Sequence, residues 1–472
     1  MGTVRFFRHS TQLFRHQIPT EFVLLGIIEF LALILALYLA LELRFLGNGW
    51  EQTVGSFFPK ALLYAVVMQM SLIAVGVYQR QPGRFIDVLM LRIGSGLLLG
   101  FIPLGVSYYF APTFFLGRGV LVLAAIMSFS LISVIRMFYR RVIREHSMWS
   151  RVLVLGGGDR ANLIRQAVTA GELQGLNLVG YVPMPGDHQQ ETEPDHITLD
   201  ETLIKYVEEN DIDEIVLAVD ERRAGLPSRD LLDCKMSGID ILDLVGFFER
   251  RSGKIRLDLL YPSWLYLSDG FRESTFRRAG KRAFDLTIIL LLLPVALPVM
   301  ILVALAIFLE SGGKGSVLYK QTRVKEDGGL FQIYKFRSMV TGAEQDGVAR
   351  WAEKNDSRVT RVGAVLRKGR LDELPQLFNV LKGDMSFVGP RPERPEFVAQ
   401  LAEKIPYYEE RHRVKPGVTG WAQISYPYGN SEEDALQKLQ YDLYYVKNFS
   451  ILLDLLILLQ TAEVVLLGKG AH

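Results

Sequence analysis

Four long apolar runs within the first 140 residues constrain the fold of this chain more than any other feature. They occupy residues 22–45, 57–78, 86–110 and 114–139. Each run has about 20 residues or more, and at about 1.5 Å per residue a helix of that length crosses a hydrocarbon core of about 30 Å. The pattern therefore predicts an α-helical membrane domain of four transmembrane helices over residues 1–148. A cleavable signal peptide does not fit, because the first run is too long and three more follow it.

The basic residues around these runs indicate how the helices are oriented. Arginines precede the first run, separate the second from the third and close the fourth, at Arg5, Arg8, Arg15, Arg80, Arg84, Arg136, Arg140, Arg141 and Arg144. The loop at residues 47–56 contains no Lys or Arg. Because basic residues favour the cytoplasmic side of a membrane, both ends of the bundle are predicted to face the cytoplasm.

Three charged residues, Glu29, Glu42 and Arg92, lie within or beside the apolar runs. Charges at membrane depth often mark a functional site. The alternative is that they extend to the membrane surface or pair between helices, and this is the interpretation that we favour.

The overall composition excludes some classes of protein. A chain of 472 residues is long enough for two or three domains. Its 53 basic and 51 acidic side chains nearly balance, so no nucleic-acid partner is indicated. The single cysteine, Cys234, allows no internal disulfide and no Cys-x-x-Cys zinc site.

Residues 149–268 have the pattern of an α/β domain. An apolar strand from Arg151 leads into a glycine turn and the start of a helix, and Gly156, Gly158 and Ala161 fit the G-x-G-x-x-G/A fingerprint. Strand and helix patterns alternate as far as residue 244, which predicts a Rossmann-like parallel sheet covered by helices. The glycines either let helix amides bind the phosphates of a nucleotide or CoA-like ligand, or only allow a tight turn to pack. The sequence leaves both interpretations open.

A fifth apolar stretch, residues 282–309, is also long enough to cross a membrane. It contains Pro294 and Pro298, and each proline removes a backbone donor and favours a bend. Basic residues lie on both flanks, which suits a re-entrant helix better than a spanning one. Kinked helices do span membranes, however, so the residues alone leave the two topologies open.

The strongest local chemistry lies in residues 370–383. A helix is predicted here because Leu374, Leu377, Phe378 and Leu381 are apolar and recur at helical spacing. Pro375 suits the first turn of this helix, and Gly383 suits its C-terminal cap. Asp372 and Glu373 would then stand at its N-terminus, where negative groups are favoured. They either cap the helix, with Asp372 accepting a backbone hydrogen bond, or bind a cation and attack phosphorus.

Four basic residues in the neighbouring segments favour the second interpretation: Lys335, Arg337, Arg367 and Arg391. Arg391 is held in a Gly-Pro-Arg-Pro turn. Arginine binds phosphate through two parallel hydrogen bonds, and Mg²⁺ takes one or two carboxylates together with phosphate oxygens. Carboxylates among fixed cations are therefore the arrangement that chemistry on a diphosphate requires.

A series of ordered motifs over residues 279–467 resembles the catalytic domain of the bacterial sugar transferase family, the monotopic polyprenyl-phosphate sugar phosphotransferases. The matching stretches are Lys281-Arg-x-Phe-Asp285, Lys335-Phe-Arg-Ser-Met339, Asp372-Glu-Leu-Pro375, Gly383-Asp-Met-Ser386, Gly389-Pro-Arg-Pro392 and Gly417-Val-Thr-Gly-Trp-Ala-Gln423. With the four apolar runs and the α/β domain, the chain resembles the large membrane subgroup that starts exopolysaccharide, capsule or O-antigen assembly. The third domain is accordingly placed at residues 269–472 and is expected to be mostly α-helical and monotopic.

The resemblance implies a reaction and a set of roles. A hexose 1-phosphate would pass from a UDP-sugar to undecaprenyl phosphate, with release of UMP, at the cytoplasmic face of the bacterial inner membrane. Asp372 matches the family nucleophile, which forms a phosphosugar-aspartate intermediate, and Glu373 matches the Mg²⁺ ligand. Lys335, Arg367 and Arg391 match phosphate-contacting positions, and Asp442 matches an acidic residue of the site. The resemblance also implies that the helix containing Pro298 is re-entrant.

Two other functions are compatible with a membrane bundle joined to an α/β domain. Membrane nucleotide-sugar dehydratases or epimerases require a Tyr-x-x-x-Lys pair, which occurs nowhere in this chain. A membrane-tethered nucleotide sensor would leave the charged motifs after residue 330 unexplained.

The sequence does not distinguish galactose, glucose or an N-acetylated sugar as the group transferred. A homodimer is expected from common symmetry. Residues 450–467, with Asp454, Gln460 and Glu463, predict an amphipathic helix at the membrane surface.

Overall fold

The computed structural model describes residues 10–13, 16–46, 49–75, 77, 78, 86–142, 150–173, 176–188, 195–199, 201–221, 225–261, 264, 268, 270, 271, 275–340, 358–427, 429 and 431–466. The chain forms two compact units, residues 1–73 with 77–259 and residues 74–76 with 260–472. Most of the arginines that predicted the orientation, Arg5, Arg8, Arg15, Arg80, Arg84 and Arg144, lie outside the described residues, as do the side chains of Arg140 and Arg141.

The first unit begins with a short hairpin and a set of long helices. Its elements are β1 (Ser10–Leu13), β2 (His16–Pro19), α1 (Thr20–Phe45), α2 (Trp50–Val54), α3 (Phe57–Ala74), α4 (Ile86–Phe110), a 3₁₀ turn (Pro112–Phe114) and α5 (Arg118–Val142). Four of these helices, α1, α3, α4 and α5, are long and apolar enough to cross a membrane, and each overlaps one of the four predicted runs. Helix α3 ends at Ala74 rather than residue 78, and α5 begins at Arg118 rather than residue 114. They pack around a shared core that includes Leu33, Leu37, Tyr64, Met68 and Ile93.

A buried polar network joins three of these helices. The fully buried Glu29 on α1 accepts hydrogen bonds from Arg136 on α5, with Nε 2.6 Å from Oε1 and Nη2 3.1 Å from Oε2. Tyr78 also donates to Glu29, and Gln69 on α3 donates to the Tyr78 hydroxyl at 2.5 Å. Glu42 accepts a hydrogen bond from the Trp50 indole at 3.0 Å. The prediction that Glu29 pairs between helices is therefore confirmed.

The rest of the first unit is an α/β domain with a parallel sheet. Its elements are β3 (Ser150–Leu155), α6 (Asp159–Thr169), β4 (Leu176–Val182), α7 (Leu203–Glu209), β5 (Glu214–Leu217), α8 (Ser228–Met236), β6 (Asp240–Asp243), α9 (Leu244–Ser252) and a 3₁₀ turn (Leu257–Leu259). All pairs are parallel, in the order β4-β3-β5-β6. Leu153, Ile215 and the free thiol of Cys234 lie in its core. The parallel sheet was predicted by the alternation of strand and helix patterns.

The second unit contains the long apolar helix and a mostly helical domain. Its elements are α10 (Thr275–Glu310), β7 (Leu318–Val324), a 3₁₀ turn (Glu326–Gly328), β8 (Leu330–Phe336), α11 (Arg361–Lys368), a 3₁₀ turn (Leu371–Glu373), α12 (Gln376–Lys382), β9 (Ser386–Val388), α13 (Pro395–Lys404), a 3₁₀ segment (Tyr408–Arg413), β10 (Gly417–Thr419), α14 (Trp421–Ser425), α15 (Glu432–Asn448) and α16 (Ile451–Leu466). β7 and β8 form an antiparallel hairpin, whereas β9 and β10 pair in parallel.

Helix α10 is a fifth helix long and apolar enough to span a membrane. It begins at Thr275, before the predicted start at residue 282, because the basic segment ahead of the apolar stretch is also helical. Pro294 and Pro298 both lie inside it. Apolar side chains in its middle, including Leu290, Leu291 and Val295, are exposed on this chain, as expected for a surface in contact with lipid.

Helix α16 covers Ile451–Leu466, close to the predicted residues 450–467. Asp454 is one of the polar residues from which a surface helix was predicted, and its side chain is only 1% exposed. It forms an ion pair with Lys281 at 2.6 Å and accepts a hydrogen bond from Tyr445 at 2.7 Å. The buried side of α16 therefore includes Asp454, one of its two charged residues, which the spacing of apolar residues alone could not reveal. The side chain of Glu463 lies outside the described residues.

Candidate active site

Asp372 and Glu373 lie in the short 3₁₀ turn that connects α11 to α12. The turn begins after Arg370, whose left-handed backbone (φ 51°) reverses the chain after α11. The pair was predicted at the first turn of a helix with Pro375 inside that turn. Instead, Pro375 immediately precedes the first residue of α12. Gly383 caps the end of α12 in the left-handed conformation, as predicted.

Glu373 is bonded to two cations. Its Oε1 accepts hydrogen bonds from Lys335 Nζ at 3.0 Å and from Arg391 Nη2 at 2.8 Å, and the side chain is 12% exposed. Burial by itself raises the pKa of Glu373, but Arg391 and Lys335 outweigh it and hold the pKa well below its usual range. Burial lowers the pKa of Lys335 in spite of the neighbouring Glu373. Glu373 is therefore a fixed anion that holds two cations in place.

Asp372 has a different environment. Its side chain is partly buried and accepts no hydrogen bond from the residues that the structure describes. Burial, followed by the charge of Glu373, raises the pKa of Asp372 although Lys335, Arg367 and Arg391 oppose the rise. No side-chain hydrogen bond caps α12 or the preceding 3₁₀ turn. The capping interpretation of Asp372 is therefore wrong, and no described residue donates a hydrogen bond to its carboxylate.

Side chains from other elements fix the positions of the cations. Arg367, in the last turn of α11, donates from Nε to Ser338 Oγ at 3.0 Å. The buried Asn379 on α12 accepts from the Tyr334 N–H at 3.0 Å and donates to the Gln332 carbonyl at 2.7 Å. These bonds tie α12 to β8, the strand that contains Lys335. Asn379 was not among the predicted site residues, and Ser338 appeared only as part of the Lys335–Met339 motif.

Arg391 is held by its backbone as well as by Glu373. Gly389, two residues earlier, has no room for a side chain, because an added Cβ would lie 2.2 Å from the Lys415 carbonyl oxygen. The buried Arg411 donates to the Arg391 carbonyl at 3.1 Å and lies 2.7 Å from Oδ2 of Asp442. Burial raises the pKa of Asp442 to about 6, although Arg411 opposes the rise. Asp442 is therefore linked to Glu373 by a chain of contacts through Arg411 and Arg391.

Arg337 is not part of this cluster among the described contacts. Both of its terminal nitrogens lie 3.2 Å from the Lys314 carbonyl oxygen, to which they donate. The structure therefore brings Lys335, Arg367 and Arg391 around the two carboxylates and directs Arg337 to the connection between α10 and β7.

The carboxylate pair fits a magnesium ion bound together with a diphosphate. Mg²⁺ is usually held by one or two carboxylates and by phosphate oxygens of the substrate. The hydrogen bonds that Glu373 accepts from described residues go to Oε1, which leaves Oε2 for a cation. The Asp372 carboxylate accepts no hydrogen bond from the described residues, so its oxygens are adjacent candidate ligands for the same cation.

The glycine turn of the α/β domain is filled by the protein's own carboxylates. Asp220 accepts hydrogen bonds from the N–H groups of Asp159 and Arg160, at the start of α6, both at 3.0 Å. Asp187 accepts from the Gly157 N–H at 2.8 Å. Burial raises the pKa of Asp220, but these backbone donors outweigh it and lower the pKa. The amides predicted to bind a phosphate are thus already occupied.

The two glycines of the fingerprint are explained by the same packing. A Cβ at Gly158 would lie 1.9 Å from Asp220 Oδ2, and Gly156 has φ 135° with the Ala218 carbonyl oxygen 2.4 Å from where a Cβ would lie. A phosphate at the start of α6 would meet the Asp220 carboxylate, which repels it. The residues therefore do not fit the phosphates of CoA or a dinucleotide at this turn.

The fold and the site together define a membrane protein with a half-buried carboxylate pair among fixed cations, a class suited to chemistry on phosphate groups. The chain belongs to the bacterial sugar transferase family, whose family model matches residues 276–468. A second model, described as a CoA-binding domain, matches residues 73–224.

Three relatives illustrate the match. A UDP-N-acetylgalactosamine-undecaprenyl-phosphate N-acetylgalactosaminephosphotransferase of Aeromonas hydrophila is 42% identical over 54% of this chain and 58% of its own length. A UDP-glucose:undecaprenyl-phosphate glucose-1-phosphate transferase of Xanthomonas campestris pv. campestris is 32% identical over 68% of each chain. An exopolysaccharide production protein of Rhizobium leguminosarum bv. phaseoli is 45% identical over 40% of this chain and 97% of its own length. The chain thus spans little more than half of the Aeromonas relative.

Proposed function

We propose that this chain transfers a hexose 1-phosphate from a UDP-sugar to undecaprenyl phosphate, as the first membrane step in the synthesis of an extracellular polysaccharide. The observation that carries the proposal is that two adjacent carboxylates have different environments. Glu373 is bonded to Lys335 and Arg391, whereas Asp372 accepts no hydrogen bond within the described residues and has a raised pKa. The activities for which the Aeromonas and Xanthomonas relatives are named support the same reaction.

In the first step, an oxygen of Asp372 attacks the phosphorus that bears the sugar. A bond forms between the carboxylate and this phosphorus, and the bond to the bridging oxygen breaks. The bridging oxygen keeps the electron pair and leaves as part of UMP. Carboxylates act as nucleophiles in this way in aspartyl-phosphate enzymes. Lys335, Arg367 and Arg391 stabilise the charge that develops on the phosphate oxygens.

In the second step, a phosphate oxygen of undecaprenyl phosphate attacks the same phosphorus. The new phosphate–phosphate bond forms as the bond to the Asp372 oxygen breaks, which regenerates the carboxylate. No proton needs to be removed from the acceptor, because its phosphate oxygen is already anionic. The products are UMP and undecaprenyl diphosphate bearing the sugar.

Glu373, with Asp372 beside it, would hold Mg²⁺ against the diphosphate. When bound, the ion supplies charge neutralisation for the diphosphate and for the departing UMP. The protein's own contribution is to keep Glu373 ionised, through Lys335 and Arg391, and to leave one of its oxygens for the cation.

The contacts of α10 support a re-entrant topology for this helix. Near its start, Asp285 accepts hydrogen bonds from Ser386 Oγ at 2.8 Å and from the Phe387 N–H at 3.0 Å. At its end, Glu310 accepts from the Val362 N–H at 3.0 Å. A globular domain that bonds both ends of an apolar helix lies on one side of the bilayer. We place this side in the cytoplasm, where UDP-sugars are supplied.

The topology can be tested with a tag after His472 in intact bacterial cells. We expect external protease to leave the tag intact and to cleave it only after the inner membrane is permeabilised. Cleavage in intact cells would contradict the re-entrant topology. The homodimer remains a prediction that mass photometry in lipid nanodiscs would test.

UMP release by the full chain in nanodiscs tests the reaction. Purified protein is incubated with UDP-glucose, UDP-galactose and their N-acetylated forms, with and without undecaprenyl phosphate and Mg²⁺. We expect one donor to give a burst of about one UMP per chain without acceptor, and a mass increase of one sugar phosphate on the intact protein. EDTA and Asp372→Asn should abolish both signals. A folded protein that releases no UMP with any donor would instead favour the nucleotide-sensor function.

A further inference from the structure

The beginning of the apolar helix α10 is bonded to the end of helix α12. Arg282 donates from Nη1 to the Val380 carbonyl and from Nη2 to the Leu381 carbonyl, both at 2.6 Å. These carbonyls lie in the last turn of α12, where a cation is favoured by the helix dipole. The Val380 carbonyl also accepts from the N–H of the capping residue Gly383 at 3.1 Å. Arg282 therefore fixes the far end of the helix that begins just after the carboxylate pair.

The end of α10 is bonded to the beginning of helix α11. Glu310, the last residue of α10, accepts a hydrogen bond from the backbone N–H of Val362 at 3.0 Å. Val362 is the second residue of α11, and its N–H has no partner within that helix. A carboxylate at a helix N-terminus is stabilised by the dipole. Glu310 therefore fixes the beginning of the helix whose last turn contains Arg367.

The two contacts lie on either side of the active site. Chain order runs from α11 through Asp372 and Glu373 to α12, and α10 contacts both α11 and α12. The beginning of α10 is bonded to the end of α12, and the end of α10 is bonded to the beginning of α11. A change in the curvature of α10 would therefore alter the spacing between Arg367 on α11 and the residues that follow the carboxylate pair.

We propose that Arg282 and Glu310 are positioning residues through which the membrane-embedded helix α10 sets the geometry of the active site. This proposal rests on the proposed function. It implies that the first step, the release of UMP from the UDP-sugar, requires α10 to have the conformation that it adopts in the bilayer, although the UDP-sugar itself is soluble in water. The anchor of α10 is separate from these two contacts, because Lys281 bonds to Asp454 and Asp285 bonds to Ser386. Loss of Arg282 or Glu310 should thus change the active site without releasing α10.

A kinetic experiment separates positioning from binding. UMP release is measured in a single turnover, without acceptor, for Arg282→Ser and Glu310→Ala in nanodiscs. Displacement of reacting groups by about 1 Å costs about 100-fold in rate, so we expect the burst rate to fall by about 10- to 100-fold while the donor concentration for half-maximal rate stays within about twofold. Arg282→Lys and Glu310→Gln keep a donor or acceptor and should recover most of the rate. Arg278→Ser is the matched control, because Arg278 lies one turn earlier on α10 and pairs with Glu326.

A distance measurement tests the coupling without relying on activity. Spin labels are placed on the exposed positions Val365 of α11 and Phe378 of α12, in a Cys234→Ala background. We expect Arg282→Ser and Glu310→Ala to shift or broaden the distance between the labels, and Arg278→Ser to leave it unchanged. Unchanged distances and burst rates, or a loss of donor binding with unchanged distances, would overturn the proposal. If the unmodified protein released no UMP, the proposed function would fail, and the label distances would still decide whether α10 controls the spacing of α11 and α12.

Discussion

Asp442 and Arg411 form a buried ion pair, with Oδ2 of the carboxylate 2.7 Å from Nη2 of the guanidinium. The same guanidinium donates to the Arg391 carbonyl, so the pair holds the backbone of a residue that contacts Glu373. Asp442→Asn keeps the size of the side chain and removes its charge. We expect the rate of UMP release to fall about tenfold at pH 7.5, since Arg391 is then less well fixed.

The effect of Asp442→Asn should depend on pH. The pKa of Asp442 is raised to about 6 by burial, so below that pH its side chain is protonated and resembles asparagine. The ratio of the two rates should approach one as the pH falls from 7.5 to 5. Rate measurements across this range check the prediction. Tyr408→Phe, which removes another partner of Arg411, is the control and should show no such convergence. A ratio that stays constant with pH would exclude titration of Asp442.

The ionisation of Asp372 predicts a shift of the pH–rate profile. The nucleophile must be ionised, so activity is lost as the pH falls through the pKa of Asp372, which burial raises. Arg367→Gln removes a cation that lowers this pKa, and the acid limb should therefore move to higher pH. Glu373→Gln removes a negative charge that raises the pKa of Asp372, so it should move the acid limb to lower pH. The profile of kcat/KM against pH is the measurement.

Arg337→Gln is the matched control for this shift. Its guanidinium donates to the Lys314 carbonyl, and it is not among the groups that alter the pKa of Asp372. The acid limb should therefore remain where it is in the unmodified protein. If Arg337→Gln moves the limb as far as Arg367→Gln does, then Arg337 belongs to the site, as the sequence predicted.

Glu373 is expected to control the dependence on magnesium. Glu373→Gln removes a charged ligand and leaves Lys335 and Arg391 without the carboxylate to which they are bonded. We expect the Mg²⁺ concentration for half-maximal UMP release to rise at least about tenfold. Asp384→Asn is the control, because the Asp384 carboxylate pairs with Lys325. This variant should leave the Mg²⁺ concentration for half-maximal UMP release unchanged. Equal Mg²⁺ dependence in the Glu373→Gln variant and the unmodified protein would show that the ion is held elsewhere.

Some of this architecture follows from local patterns and some of it depends on distant contacts. The apolar helices and the parallel strands were predicted because their spacing is a property of short segments. The resemblance and local charge indicated Asp372, Glu373, Lys335, Arg367 and Arg391, which the structure brings together. The role of Asp220 could not be predicted, since it lies 61 residues from Asp159, whose N–H it binds. Arg411 was missed for the same reason.

The filled glycine turn predicts that the α/β domain of the unmodified chain binds neither CoA nor UDP-sugar through α6. Asp220→Ala removes the carboxylate that occupies the amides of Asp159 and Arg160. We expect the domain to lose about 1 kcal/mol of stability, as for a lost N-terminal cap, and to gain stabilisation by phosphate or sulfate. Thermal unfolding of the full chain with and without these anions is the measurement. Binding of CoA that is unaffected by Asp220→Ala would place a ligand elsewhere in the domain.

The buried pair of Glu29 and Arg136 predicts a strong coupling within the membrane helices. Each partner leaves an uncompensated buried charge when the other is removed, so Glu29→Gln and Arg136→Met should each destabilise the bundle by about 3–5 kcal/mol. The double variant should cost much less than the sum, because no charge is then left unpaired. Unfolding in mixed detergent micelles gives these values. Glu42→Gln, at an exposed carboxylate that accepts from Trp50, is the control and should change stability by less than about 1 kcal/mol. Additive single effects would mean that the two side chains contribute independently and that the pair is not what joins α1 to α5.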